Sequence, residues 1–283
     1  MALKLRGDYI LSTQNKSQGS KEIQSTMIFI ATHKDYTFPV DKGYTPLHVG
    51  RSLSTKDLLF KGDDTGDNIS CLNYNFCELT ALYWMWKNKS NDADFLGLVH
   101  YRRYFKPTNQ SIRIMEQSIA SSFDLQDIMR HCQIVLPKPR NYWIETIEQH
   151  YNNAHYANDL RIVKKTLLRK YPEYWQAFDN IFRGRKLSLY NMFVMKKEHL
   201  DAYCSWLFDI LFEVEKTIQY KNYGPYQRRV FGFLGERLLN VWVTHNFKPH
   251  EIKYLPIINL EGENLILKAI GLLKRKFKGE KLK

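Results

Sequence analysis

The stretch His100-Tyr101-Arg102-Arg103-Tyr104 gathers an imidazole, two guanidiniums and two phenols on neighbouring positions. Guanidinium forks make paired, charge-assisted hydrogen bonds to phosphate oxygens, so two side by side suit a diphosphate. His100 titrates near neutrality and could orient a phosphate or protonate a leaving group. The preceding residues, Asp94 to Val99, read as a buried strand. On an extended backbone His100 and Arg102 face one side, and Tyr101 and Arg103 the other. The plainer alternative is a pair of surface arginines held in ion pairs.

A second candidate group lies between Pro225 and Asn240. Arg229, Gly232, Glu236 and Asn240 recur at helical spacing, while Val230, Leu234, Leu238 and Val241 form an apolar stripe. A glycine inside a helix costs about 1 kcal/mol relative to alanine. Gly232 and Gly235 therefore imply close approach by a ligand or another backbone. Glu236 on that face is a candidate general base for a hydroxyl acceptor. A structural pair with Arg229 or Arg237 is its alternative.

The polar loop Gly62 to Ser70 offers Asp63, Asp64, Asp67 and Asn68, and its three aspartates could bind a cation or sugar hydroxyls. Asp64 and Asp67 compete with Glu236 for the role of base, and Asn68 is a candidate donor ligand. The loop lacks the ligand spacing of an EF-hand, and plain Asx-turns would also explain it. Thr32, His33 and Lys34 follow the first apolar run and are candidates to hold a nucleotide. Asn191, and Tyr142 and His150 within an aromatic-rich stretch, are candidates for the acceptor side. Helical core packing is the competing role for many of those aromatics.

These residues need elements to position them. Met27 to Thr32, Asp94 to His100, Gln133 to Leu136, Leu187 to Met195 and Lys253 to Ile258 read as strands. Helices are expected from Asn75 to Trp86, Phe123 to His131, in two or three pieces over 143–182, Lys197 to Gln219 and Gln227 to His245. The alternation predicts an α/β fold with a mostly parallel sheet and helices on both faces. Ligands bind such sheets beyond the carboxyl ends of the strands, which points to the residues after Ala31, Val99, Leu136 and Met195. There is no GxGxxG and no GxxxxGK[ST], which argues against dinucleotide-dependent dehydrogenases and P-loop enzymes.

The chain has 283 residues, 44% of them hydrophobic and 25% charged, an ordinary globular balance. Its formal net charge is +13. Seven Lys/Arg against one Glu fall between Lys268 and Lys283, so nearly half the excess sits there. That distribution argues for a local basic tail and against a surface coated for nucleic acid. In the tail Ile266, Ala269, Ile270, Leu273 and Phe277 share a face, as in helices that lie on anionic membranes. Cys71, Cys77, Cys132 and Cys204 include no CxxC pair and read as reduced thiols. The N-terminus lacks a signal-peptide core, so the expected location is the cytoplasm, at the inner face of the plasma membrane. Three regions are expected: a loosely ordered extension over 1–26, a catalytic domain over 27–258 and the tail over 259–283.

The motifs IATHK, GDDTGDNIS, NFCELTALYWMWKN, GLVHYRRYF, NMFVMKK and RVFGFLGERLLNVW occur in that order between residues 27 and 258. In them the chain resembles bacterial capsular and exopolysaccharide glycosyltransferases once classed as a domain of unknown function, some assigned as galactofuranosyltransferases. The resemblance implies a GT-A type fold and a nucleoside-diphosphate sugar donor, such as UDP-galactofuranose. It also implies transfer to a glycan or lipid-linked glycan. Most GT-A enzymes carry an Asp-x-Asp metal motif after a central strand. Here His100 to Arg103 stand at that place, and the one Asp-x-Asp, Asp92-Ala-Asp94, precedes its strand. The expectation is a metal-independent reaction in which Arg102, Arg103, Tyr101 and Arg229 serve the donor. A basic non-catalytic adaptor and a nucleotide-sugar hydrolase are the rival functions.

Overall fold

The computed structural model describes residues 24–89 and 91–262. Its strands are β1 (Thr26–Thr32), β2 (Tyr44–His48), β3 (Phe95–His100), β4 (Arg103–Phe105), β5 (Ser111–Ile114), β6 (Gln117–Ala120), β7 (Ile134–Pro137), β8 (Arg140–Asn141), β9 (Lys186–Leu187), β10 (Phe193–Lys196), β11 (Ile252–Leu255) and β12 (Ile257–Asn259). Its helices are α1 (Asn73–Phe76), α2 (Leu79–Lys89), α3 (Ser122–Met129), α4 (Ile147–Ala154), α5 (Ala157–Lys170), α6 (Trp175–Arg183), α7 (Lys197–Glu215) and α8 (Val230–Asn246).

The main sheet runs β11-β7-β10-β3-β1-β2, with β4 and β12 added along the β3 side. All of the six strands on that path except β10 point the same way, which makes the sheet mostly parallel. Both faces are covered, and side chains along each strand serve them alternately. Phe29, Leu96, Leu98, Phe193 and Met195 join α2, α7 and α8 in one apolar layer. Ile28, Ile30, Phe95, Val99 and Val194 join α3 and the β5-β6 hairpin in the other. Gly97 at the sheet centre leaves room for Val194 and Phe193, since a Cβ there would meet atoms at 3.0 and 3.1 Å.

Four local readings differ from the sequence pattern. The apolar run expected as one strand over 187–195 splits into β9 and β10, because Tyr190 and Asn191 adopt left-handed backbone between them. The last strand likewise divides at Pro256 into β11 and β12. The helix expected from Asn75 breaks at Cys77, which has φ +52°. Finally, the stretch expected as an unbroken loop up to Gly66 contains β2, which pairs parallel to β1.

The direction of β10 matters for function. Being reversed, it carries Met195 away from the edge where β1 and β3 end. The residues before Phe193 lie at that edge instead. The four cysteines are free thiols, as the spacing suggested. Among the described residues no helix is long and apolar enough to cross a membrane. Residues 263–283, with nearly all of the expected tail, fall outside the described residues, as do residues 1–23 of the expected extension.

Candidate functional site

A cavity of about 560 Å³ opens where β1 and β3 end and β10 begins. Its size is that of a small-molecule site. The cavity is lined by Ala31 and His33 after β1, by His100 to Arg103 after β3, and by Tyr190 ahead of β10. Asn73, Tyr74, Cys77 and Glu78 close it from the break between α1 and α2. Arg228, Arg229, Gly232, Phe233 and Glu236 close it from α8 and the turn before it.

The arginine pair is held differently from a continuing strand. β3 stops at His100, Tyr101 and Arg102 turn, and β4 returns antiparallel with His100 opposite Arg103. A tight turn replaces the alternation of an extended strand, so all four residues from His100 to Arg103 face one cavity. β12 clamps this turn from outside: Asn259 pairs with Arg103, and the Leu260 amide donates to the Arg102 carbonyl at 2.9 Å. Tyr101 is buried beneath the cations, edge-on to His33 and Tyr36, with the Arg102 guanidinium 5.4 Å from its ring centre. Arg103 lies over the Tyr190 ring at 4.4 Å.

Arg102, Arg103, Arg228 and Arg229 all line the cavity. Of the four, only Arg102 is ion-paired among the described residues, with Glu261. The Nε atoms of Arg102 and Arg103 are buried without a hydrogen-bond partner. A buried donor left unmade costs about 1–3 kcal/mol. Four guanidiniums face two carboxylates, Glu78 and Glu236, so the cavity is electropositive.

Tyr190 forms the opposite wall, with Asn191 behind it, at φ +78° and +51°. Non-glycine residues in this region carry backbone strain and concentrate at functional sites. Each peptide group here is tied down. The Tyr190 amide donates to Glu236 Oε1 at 2.5 Å, and the Tyr190 carbonyl accepts from His100 Nε2 at 2.6 Å. A carbonyl only accepts, so Nε2 carries the proton and Nδ1 holds the open lone pair. Burial lowers the His100 pKa, and Arg103 and Arg102 add to the effect against the opposing pull of Glu78 and the Tyr190 carbonyl. Burial raises the Glu236 pKa, with Arg237 and the Tyr190 amide pulling it back. The second Glu236 oxygen accepts from Arg237 Nη1 at 3.2 Å.

Asn191 is buried, and its amide donates to Glu78 Oε1 at 2.6 Å and to the Gly232 carbonyl at 3.2 Å. Glu78 itself was not among the sequence candidates. It follows Cys77, where the helix breaks, and Asn73 Nδ2 bonds the Cys77 carbonyl at 2.8 Å across that break. Burial pushes the Cys77 thiol up to about 11, and it accepts from Arg229 Nε at 3.3 Å. The small residue at 232 serves this segment: a Cβ there would lie 3.1 Å from Cys77 Sγ. A Cβ at Gly235 would meet Leu79 Cδ1 at 2.7 Å. Both glycines therefore admit the α1–α2 chain rather than a ligand.

The cavity thus collects His33, His100, Tyr101, Arg102, Arg103, Arg229 and Glu236 of the sequence candidates. Thr32 is buried in a local turn, its hydroxyl donating to the Lys34 carbonyl at 2.6 Å. Lys34 lies beside Tyr101 and pairs with Glu261 at 3.4 Å. Asp64, Asp67 and Asn68 do not line the cavity. Asp67 accepts from the Tyr83 hydroxyl at 3.0 Å, and Asn68 closes turns with the Gly66 carbonyl and the Ser70 amide. That loop is organised by buried Asp63, which accepts from the Gly50 and Arg51 amides and from the Ser70 and Thr80 hydroxyls. Tyr142 and His150 pack edge to face on each other, outside the cavity lining. Asn191 stands behind the wall rather than in it.

The residues do not fit a divalent cation. After β3 stand guanidiniums, which repel one, and Asp92 and Asp94 instead bond Lys89 and the Ser25 amide beyond the other end of that strand. Among the described residues no three His, Cys, Asp or Glu side chains converge as a metal cage.

A mostly parallel sheet with helices on both faces, opening an electropositive cavity at its carboxyl edge, defines a GT-A-like α/β domain. The chain belongs to the family described as "Domain of unknown function (DUF4422)", whose model matches residues 27–247. It is similar to a solved structure titled as the apo form of a bifunctional glycosyltransferase, WbbM, at TM-score 0.76 and 30% identity. That match covers 85% of this chain and 46% of WbbM, so this chain spans less than half the length of that protein. No curated protein matches.

Proposed function

We propose that this protein is a glycosyltransferase whose cavity binds a nucleoside-diphosphate sugar and passes the sugar to a hydroxyl. The observation that carries the reading is the turn His100 to Arg103, which sets two guanidinium side chains next to each other in the lining of one cavity. The likeness to WbbM supports the class of reaction. Arg102 and Arg103 would clasp the diphosphate and stabilise the charge that grows on it as the glycosidic bond breaks. Preorganised cations of this kind would supply what a divalent ion supplies elsewhere, so the reaction needs no metal. An anion already sits against Arg102 and Lys34, the carboxylate of Glu261. His33 and Tyr101 would flank the donor, and Arg229 would hold the opposite side.

His100, neutral and tethered to Tyr190, would offer Nδ1 to a donor hydroxyl or protonated phosphate. Glu236 would position Tyr190 and, through it, His100, since both of its oxygens already accept hydrogen bonds. The donor is a uridine diphosphate sugar, UDP-galactofuranose in the case drawn from the motif resemblance. The acceptor is a lipid-linked or growing surface polysaccharide, and the anomeric centre inverts by direct displacement. The basic stretch from Lys268 to Lys283 would keep the enzyme on an anionic membrane surface.

Product analysis with labelled donor tests this. Sugar transfer to a glycan acceptor in the presence of chelator is the expected result. Activity that disappears with chelator and returns only with Mn²⁺ or Mg²⁺ overturns the metal-free mechanism. Release of free sugar alone, with or without acceptor, identifies a hydrolase instead.

A further inference from the structure

Two carboxylates line the cavity, and their surroundings separate their roles. Glu236 has both oxygens engaged, by the Tyr190 amide and by Arg237. Glu78 has one: Oε1 accepts from Asn191 Nδ2 at 2.6 Å, and Oε2 takes no hydrogen bond from the described residues. Glu78 is half-buried and lines the cavity. Its mount is rigid. Asn191 is buried at φ +51°, Cys77 precedes Glu78 at φ +52°, and Asn73 bonds across that break. A strained, cross-braced segment that delivers one free carboxylate oxygen to a cavity is the arrangement a positioned base requires.

We infer that Glu78 is the general base of the transfer, an assignment that rests on the glycosyltransferase reading above. The acceptor O–H proton passes to Glu78 Oε2 as the acceptor oxygen forms its bond to the anomeric carbon. The bond from that carbon to the β-phosphate oxygen breaks, and its electron pair leaves with the nucleoside diphosphate between Arg102 and Arg103. Asn191 is a positioning residue, holding Oε1 so that Oε2 points its lone pair at the acceptor. Glu236 takes no proton in this scheme.

Azide separates a base from a structural prop, because it is already an anion and has no proton to lose. The full chain, Glu78→Gln and Glu78→Ala are each assayed with donor plus glycan acceptor, and with donor plus sodium azide. Glu78→Gln keeps an acceptor oxygen for Asn191 Nδ2, and its thermal midpoint reports whether the fold is intact. The expected result is a loss of about a hundredfold to ten-thousandfold in kcat for the glycan, the range of general-base catalysis. Azide, by contrast, yields glycosyl azide at close to the rate of the unsubstituted protein in both variants. Glycan transfer by Glu78→Gln at the full rate overturns the assignment. So does equal loss of glycan and azide products, which would make Glu78 a support for the donor. If the unsubstituted protein itself forms neither product from any nucleotide sugar, the glycosyltransferase reading fails, and Glu78 loses its role with it.

Discussion

At the scale of single residues, burial moves His100, Glu236 and Cys77 away from their ordinary titration. His100 shows this most clearly. Its Nε2 proton is committed to the Tyr190 carbonyl, and desolvation beside two arginines lowers its pKa from the usual 6.5. On acidification the unfolded chain therefore takes up this proton first. The stability that neutral His100 contributes is present above pH 6.5 and drains as the pH falls through the lowered folded value. A histidine NMR titration should place its midpoint below 6.5, with Nε2 protonated at neutral pH. Adding UDP should raise that midpoint, because a diphosphate brings negative charge into the cavity. A midpoint above 6.5 in the free protein would contradict the buried, tethered imidazole. Much of this was legible from residue type alone. The cluster His100 to Arg103 and the pair Arg229 and Glu236 announce themselves by charge and spacing. Glu78 did not, because it sits within a run that reads as unbroken helix. The one signal available was the polar, weakly helix-forming Asn73-Tyr-Asn-Phe-Cys stretch ahead of it. Asp64 and Asp67 lie outside the cavity lining for the opposite reason. Clustered carboxylates look chemical, yet the loop's buried member, Asp63, is used to tie backbone amides and hydroxyls together.

At the scale of elements, three departures from regularity build the cavity: the turn after β3, the left-handed pair before β10 and the break between α1 and α2. Hydrophobic period reports where a strand or helix is buried, but it is silent on where the chain turns. The buried strands β1 and β3 were therefore readable, as were the helical stripes of α2 and α8. The reversal of β10 was not, since a buried strand has the same apolar run in either direction. The packing of α8 on the α1–α2 break is the most exposed of these joints to test. In Gly232→Val the added side chain starts 3.1 Å from Cys77 Sγ and 3.2 Å from Cys77 Cβ, with the strained residue beside Glu78 behind them. Crowding of this kind costs about 1–3 kcal/mol. The thermal midpoint should fall by several degrees, on the order of 2–4 °C per kcal/mol for a domain of this size. The turnover number should fall further than donor affinity, because the displaced segment carries Glu78 and not the arginines. An unchanged midpoint would show that the joint is looser than these distances imply.

At the scale of the whole molecule, the fold brings segments far apart in sequence to one edge of one sheet. Arg102 is bound to Glu261, Asn75 to the Arg228 carbonyl, and Asn191 to both Glu78 and Gly232. The α/β class followed from the alternation of strands and helices, and the rule for parallel sheets placed the cavity after Ala31 and Val99, while the other two expected places, after Leu136 and Met195, do not line it. Which loops meet there is a tertiary fact that no local pattern carries. In the proposed reaction a cation-lined rim receives a diphosphate without a metal. Calorimetric titration with UDP in chelator-containing buffer, on the full chain and on the double variant Arg102→Ala, Arg103→Ala, measures that directly. Hydrogen bonds to charged groups contribute about 1.5–3 kcal/mol each, so losing both arginines should weaken binding by at least about a hundredfold. Equal affinity in the two proteins, or binding that appears only when Mn²⁺ or Mg²⁺ is restored, would contradict it.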